Sequence, residues 1–147
     1  MPKCADVMTR EPACCQATDS IVRVAQLMKA EDVGAVPIVE STTGRKLVGM
    51  ITDRDIVVKI VGNGTPVEKA TVRDAMTTDI VTCGEDDDVN QAVSRMAERQ
   101  IRRIPVVDRS GQLRGIIAQA DIATRVHQDR TTGELVEAIS ERGAVRK

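Results

Sequence analysis

Gly49-Met50-Ile51-Thr52-Asp53-Arg54-Asp55-Ile56 is the stretch where an apolar strand turns into a helix and polar groups collect. Strand-forming residues run from Leu47 to Ile51 and end at Thr52, after which Ile56, Val57, Ile60 and Val61 recur at helical spacing. The Thr52 hydroxyl and the Asp55 carboxylate stand three residues apart, beside backbone N–H groups that lack intrahelical partners. Such a place suits a phosphate or a ribose. The same Thr-x-x-Asp spacing is close to a capping box, in which hydroxyl and carboxylate satisfy the helix's own free donors. Both readings fit these residues.

Outward from this stretch, the chain repeats itself. Asp6-Val7-Met8-Thr9 returns 68 positions later as Asp74-Ala75-Met76-Thr77. At the same offset Asp19, Ile21, Val24, Ala25 and Met28 meet Asp87, Val89, Ala92, Val93 and Met96, and Val36-Pro37-Ile38-Val39 meets Ile104-Pro105-Val106-Val107. The turn from Ser41 to Arg45 is two residues longer than its counterpart around Asp108 to Gly111, so the offset then drops to 66. Beyond it Leu47, Gly49, Ile51, Asp55 and Ile56 meet Leu113, Gly115, Ile117, Asp121 and Ile122. The chain is one unit written twice.

Each unit opens with a short segment, Pro12 to Cys15 or Ile80 to Cys83, followed by a helix with apolar positions at i, i+3, i+4 and i+7. These positions are Ile21, Val24, Ala25 and Met28 in the first unit and Val89, Ala92, Val93 and Met96 in the second. Asp19-Ser20 and Glu85 to Asp88 supply capping groups at the helix start. The acidic run also has the composition of a metal site, but capping already accounts for carboxylates at that place. Strands Ala35 to Val39 and Leu47 to Ile51 follow, then the helix from Thr52; Ile104 to Val107, Leu113 to Ile117 and a helix near Asp121 repeat them. The order β-α-β-β-α, twice, predicts an α/β (α+β) fold.

The breaker cluster Gly62-Asn63-Gly64-Thr65-Pro66 separates the units, and Thr71-Val72-Arg73-Asp74 reads as a capping box opening the second. Residues 1–66 are therefore predicted as the first repeat with its linker, 67–125 as the second, and 126–147 as an extension with a short helix bearing Leu135, Val136 and Ile139. A unit of about 60 residues buries too little surface to be comfortably stable alone. The two sheets are expected to pack face to face with pseudo-twofold symmetry, with a cleft beside the Thr52–Asp55 corner.

Composition narrows the function. With 41% hydrophobic and 29% charged residues and a net charge of −1, the 147-residue chain reads as globular, with no general attraction to nucleic acid or an anionic membrane. Phe, Trp and Tyr are absent, which removes the stacking platforms of single-strand and RNA binders and leaves any bound base between aliphatic side chains. A basic patch around Arg99, Arg102 and Arg103 is the one feature favouring nucleic acid. No run approaches the roughly 20 apolar residues of a membrane span, and Met1-Pro2-Lys3-Cys4-Ala5-Asp6 lacks a signal peptide's apolar segment, so a cytoplasmic protein is expected. Cys4, Cys14, Cys15 and Cys83 include no Cys-x-x-Cys pair and His127 is the only histidine, so metal-ligand spacing is absent and free thiols are expected. The adjacent Cys14 and Cys15 form a candidate redox-sensitive spot. No nucleophile is paired with a base, which argues against an enzyme.

The doubled set of Asp-x-Met-Thr, Val-Pro-Ile-Val with Ile-Pro-Val-Val, and Gly-Met-Ile-Thr-Asp-Arg-Asp-Ile resembles the CBS domain family, named for cystathionine β-synthase, over roughly residues 1–125. The short stand-alone form resembles small bacterial two-domain CBS proteins, including those named hypoxic response proteins. The resemblance implies a sensor that needs no cofactor and binds AMP, ADP, ATP or S-adenosylmethionine in the cleft between repeats. It implies that Asp55 holds ribose hydroxyls, that Thr52 contacts ribose or phosphate, and that Asp121 is the second unit's counterpart. It places backbone at Pro12, Ala13, Cys14, Val36 and Pro37 around the base, with Ile104 and Pro105 as the second unit's equivalents. Arg102 and Arg103 match positions aimed at phosphates, where the first unit has Gly34 and Ala35, and Arg54 is a third phosphate candidate. The second unit departs from the pattern at Gly115-Ile116-Ile117-Ala118-Gln119-Ala120-Asp121, where Ala118 replaces the hydroxyl, so a weaker, empty or altered second site is expected. The family also implies a homodimer, for which Val57, Val58 and Ile60 offer an apolar flank. A ligand-free module that acts by dimerisation or by holding a partner fits the same repeat.

Overall fold

The computed structural model describes residues 2–125, so the helix expected around Leu135 to Ile139 lies outside the described residues. In chain order the elements are α1 (Cys4–Val7), β1 (Thr9–Arg10), α2 (Ile21–Glu31), β2 (Ala35–Val39), β3 (Leu47–Thr52), α3 (Asp53–Ile56), β4 (Cys83–Gly84), α4 (Val89–Arg99), β5 (Arg103–Val107), β6 (Leu113–Ala118) and α5 (Gln119–Arg125). The mixed α/β class and the repeated element order agree with the sequence. Helix α3 continues as a π-helical stretch, Val57–Val61, closed by the Gly62 N–H bonding to the Val57 carbonyl at 2.7 Å. Single 3-10 turns follow at Val67–Lys69 and Val72–Asp74.

The compact units in space are offset from the repeats in sequence. Among the described residues one comprises Ala13–Ile80, the other 2–12 together with 81–125. Each Asp-x-Met-Thr motif, at the head of its own repeat, thus folds with the other repeat. The Thr71–Asp74 capping box forms, with the Thr71 N–H donating to Asp74 Oδ2 at 2.9 Å, but it belongs to the first of these units. Its neighbours there are backbone groups at the start of α2. The Val72 N–H reaches the Asp19 carbonyl at 2.8 Å and the Ile21 N–H reaches the Ala70 carbonyl at 3.0 Å.

In the Ala13–Ile80 unit, β2 and β3 pair antiparallel with Val36 opposite Ile51 and Ile38 opposite Gly49. Cys15 adds a parallel bridge to Ile38, and Thr77 an antiparallel bridge to Met50. The other unit extends the same arrangement into a four-stranded sheet ordered β1-β6-β5-β4, with Thr9 opposite Ile116 and Cys83 opposite Val106. Apolar side chains on one sheet face meet the helix stripe. Ile21, Val24, Val36, Ile38, Ile51, Ile60 and Val72 form one core, and Val89, Ala92, Val93, Met96, Ile104, Ile117 and Ile122 the main part of the other, which Cys4, Val7 and Met8 of the amino-terminal segment join.

Two details differ from the sequence expectation. Ala25 is exposed although its counterpart Val93 is buried. Ile60 is 1% exposed and belongs to the core, so the exposed apolar flank consists of Val57, Val58 and Val61 at 58%, 50% and 57%. The repeated glycine of β3 and β6 is a matter of close approach. A Cβ on Gly49 would lie 2.8 Å from the Thr77 carbonyl oxygen, and one on Gly115 would lie 2.8 Å from that of Thr9. The Asp-x-Met-Thr segment can therefore pair with its strand only where the strand carries no side chain.

Candidate functional site

Strand β3 delivers Thr52 in extended geometry, and the chain turns into α3 at the next residue. Thr52 Oγ1 accepts from the Asp55 N–H at 3.0 Å and Asp55 Oδ2 accepts from the Thr52 N–H at 3.0 Å, so the capping reading is realised in full. The carboxylate has further partners. Lys59 Nζ lies 3.2 Å from Asp55 Oδ1, and the Thr77 hydroxyl donates toward Oδ1 at 3.3 Å and Oδ2 at 3.4 Å. Lys59 Nζ also donates to the Ala75 carbonyl at 3.2 Å and to Thr77 Oγ1 at 3.3 Å. Thr77 is held in place by its backbone, which exchanges bonds of 2.8 and 2.9 Å with Met50. The result is a half-buried corner where a hydroxyl, a carboxylate, an ammonium and a second hydroxyl converge. Neither Lys59 nor Thr77 is among the sequence candidates. The signals for them are the i,i+4 spacing of Asp55 and Lys59 and the recurrence of threonine at the end of each Asp-x-Met-Thr motif.

A CBS domain family model matches residues 4–62 and again residues 72–128. The chain belongs to the CBS domain family. It is 38% identical over 117 residues to the uncharacterized protein MK0525 of Methanopyrus kandleri, a match covering 80% of this chain and 56% of that protein. It is 32% identical over 123 residues to hypoxic response protein 1 of Mycobacterium tuberculosis, covering 84% of each, so it resembles the small stand-alone CBS type. A crystal structure of hypoxic response protein 1 with two coordinated zinc ions superposes with a TM-score of 0.74, covering 83% of this chain and 97% of that one. The CBS domain pair of protein MJ0100, solved with 5′-methylthioadenosine and S-adenosylmethionine, has a TM-score of 0.72 at 30% identity, covering 83% of this chain and 93% of that one.

Within this CBS chain the other candidates fall as follows. Asp121 Oδ2 accepts from the Ala118 N–H at 3.0 Å, which is half of the capping box, and Ala118 supplies no hydroxyl for the rest. Arg103 lies opposite Ala118 in the ladder and the Arg102 carbonyl accepts from the Gln119 N–H at 2.9 Å, so both arginines flank the Asp121 corner of their own unit. Ala35, opposite Thr52, and Gly34, whose carbonyl accepts from the Asp53 N–H at 2.9 Å, hold the same places at the Asp55 corner. Arg54 is exposed on α3. The Cys15 N–H donates to the Pro37 carbonyl at 3.0 Å, which brings Ala13 and Cys14 alongside Val36 and Pro37, whereas Pro12 belongs to the other unit. The side chains of Val36 and Ile104 are wholly buried in the two cores, so those positions offer backbone only. Pro105 is buried, and its carbonyl accepts from Cys83 Sγ at 3.8 Å.

The acidic run is spent on capping and pairing. Asp88 accepts from the Asn90 N–H at 3.0 Å, and Asp87 accepts from the Gly84 N–H at 2.7 Å while pairing with Arg95 at 3.1 Å. The Gly84 bond, followed by Arg95, holds the Asp87 carboxyl below its ordinary range. Among the described residues no three His, Cys, Asp or Glu side chains gather to hold a metal, and no helix is long and apolar enough to cross a membrane. Of the thiols, Cys15 is 5% exposed and pushed up to about 12, by burial first and then by the nearby Asp19 and Cys14. Cys4 and Cys83 are both buried in the other core, with Cys4 Sγ 3.9 Å from the Asp88 carbonyl and Cys83 Sγ 3.8 Å from that of Pro105; the interaction of the two thiols raises Cys83 and lowers Cys4, and no spacing in the sequence announces it.

Proposed function

We propose that this protein is a non-catalytic regulatory module that binds an adenosine-containing ligand, of the AMP, ADP, ATP or S-adenosylmethionine class, at the Thr52–Asp55 corner. The observation that carries the reading is the complete corner itself. A carboxylate only 15% exposed, fixed by its own helix cap and facing a hydroxyl and an ammonium, is arranged to receive a ribose diol, with cationic charge at hand for a phosphate. Backbone at Ala13, Cys14 and Val36-Pro37 would border the base, and the absence of aromatic residues means that aliphatic side chains would sandwich it. The adenosine compounds bound by the 30%-identical MJ0100 pair support this ligand class. The Asp121 corner, short of a hydroxyl but flanked by Arg102 and Arg103, would be a weaker site with a stronger preference for phosphate. The Val57, Val58 and Val61 flank supports a homodimer, and the composition supports a cytoplasmic location.

The test uses the chain's own silence in the ultraviolet. With no Phe, Trp or Tyr, an adenine band in purified protein comes from something bound. A band that passes a filter only after denaturation, or saturable binding of added AMP or S-adenosylmethionine that Asp55→Ala abolishes, is the expected result. Absence of both sinks the reading. It would favour a ligand-free interaction module, for which the internally satisfied Thr52–Asp55 box is the specific support.

A further inference from the structure

The Asp55 carboxylate offers about four lone-pair sites, two on each oxygen. Three donors already use them: the Thr52 N–H on Oδ2, the Lys59 ammonium on Oδ1, and the Thr77 hydroxyl placed between the two oxygens. A ribose diol brings two hydroxyl donors, and only one site remains. At least one resident donor must therefore leave when a ribose binds. The Thr52 N–H cannot leave without opening the helix cap, and the Thr77 backbone is paired with Met50, so its hydroxyl can leave only by turning about its side-chain bond away from both Asp55 and the Lys59 ammonium it accepts from. Lys59 can leave, since its side chain is 40% exposed and its ammonium sits on a flexible four-carbon stem.

We propose that Lys59 is a latch over the ribose anchor. In the ligand-free corner it competes with the ligand for Asp55 and adds two bonds, to the Ala75 carbonyl and the Thr77 hydroxyl, to the direct Thr77–Asp55 contact; ligand binding displaces it from Asp55 and weakens that tie. The inference rests on the adenosine-binding reading above and assigns the regulation of that site. Its consequence lies in chain order. Ala75 to Thr77 lead directly to Ile80, where the chain passes into the other unit, so releasing Lys59 loosens the segment just ahead of the crossing.

The experiment compares adenosine, which has no phosphate, with AMP, using calorimetric titration of wild type, Lys59→Met and Thr77→Val in the full chain. Lys59→Met keeps the length of the stem and removes the charge. If Lys59 is a latch, Lys59→Met binds adenosine at least about threefold more tightly than wild type, the effect of deleting one charge-assisted competitor. Thr77→Val shifts affinity the same way and gives an independent reading should Lys59→Met fold poorly. Unchanged or weaker adenosine binding by both variants overturns the latch, while saturable binding by wild type leaves the adenosine reading intact. Lys59→Met that loses AMP affinity and keeps adenosine affinity also overturns it, because Lys59 would then be a simple phosphate ligand. If no protein binds either compound, the adenosine reading fails and the latch with it.

Discussion

Replacing Gly49 with alanine tests the argument that a bare strand position lets the Asp-x-Met-Thr segment dock. The new Cβ would stand 2.8 Å from the Thr77 carbonyl oxygen and 2.9 Å from Met76 Cε, where ordinary contact begins at 3.4 Å. Met76 Cε is the end of a flexible side chain and can swing aside. The Thr77 carbonyl cannot move by the required half ångström or more without lengthening its 2.9 Å bond from the Met50 N–H. Forcing one extra carbon into a packed site costs about 1–3 kcal/mol, and alanine's lower unfolded-state entropy relative to glycine returns about 0.5–1 kcal/mol. The net expectation is a loss of about 1–2 kcal/mol, read as a lower urea midpoint at unchanged slope. Gly64→Ala is the contrast. No atom lies within 4 Å of its added Cβ, and its cost of about 1–2 kcal/mol comes from a left-handed φ of +73°. Only Gly49→Ala should also disturb Thr77, and with it the bonds to Asp55. A Gly49→Ala protein with wild-type stability and unchanged amide exchange at Thr77 would refute the close-approach argument.

Other consequences are independent of that one. Thr52→Ala removes the hydroxyl that caps the Asp55 N–H and should cost about 1 kcal/mol in urea unfolding, whether or not a ligand binds. Asp87, whose pKa is lowered in the folded state, contributes stability that is complete above the ordinary carboxylate range of about 4 and is lost as pH falls toward its folded value. Asp87→Asn should therefore flatten the acid limb of a melting-temperature profile, and an unaltered limb would contradict the assignment. Alkylation of the native protein at pH 8 should modify Cys14 first, since Cys4, Cys15 and Cys83 are buried; mass spectrometry of the labelled peptides reads the order.

The repeat and both capping boxes were legible in the sequence because each depends on local spacing. Thr52 and Asp55 are three residues apart, and a helix start fixes their geometry wherever the rest of the chain goes. Lys59 and Thr77 were not, although each is visible as a residue. Lys59 looks like an ordinary solvent-facing lysine until the segment at Ala75–Thr77 is laid against it, and that contact spans 16 to 18 positions of chain. The exchange of Asp-x-Met-Thr motifs between repeats is invisible for a related reason. Self-comparison shows that Thr9 and Thr77 are equivalent, but equivalence is satisfied equally by a motif that folds with its own repeat and one that folds with the other. The paired glycines carry the information that something approaches, and only the fold says what.

That exchange bears on how such a module can act. Had each Asp-x-Met-Thr motif folded with its own repeat, Thr9 rather than Thr77 would lie against β3 beside the Thr52–Asp55 corner. In the observed connectivity Thr77 completes the corner of the Ala13–Ile80 unit and stands three residues before the chain leaves it, while Thr9 pairs with β6 in the other unit and stands just ahead of the crossing after Pro12. Each crossing is therefore preceded by a short anchor rather than an extended strand, since the Met50–Thr77 pairing is a single bridge and β1 spans two residues. A short anchor is one that a ligand's modest free energy can shift, because only one or two backbone bonds of about 0.5–1.5 kcal/mol each resist it. Lengthening the bridge would be the way to stiffen it. Substituting Asp79, which is exposed beyond the bridge and follows the already β-branched Thr78, with valine should favour continued pairing along β3 and slow amide exchange there. In such a variant adenosine should bind without loosening Ala75–Thr77, so ligand affinity and segment exchange would be uncoupled; if they remain coupled, the tie runs through groups other than this bridge.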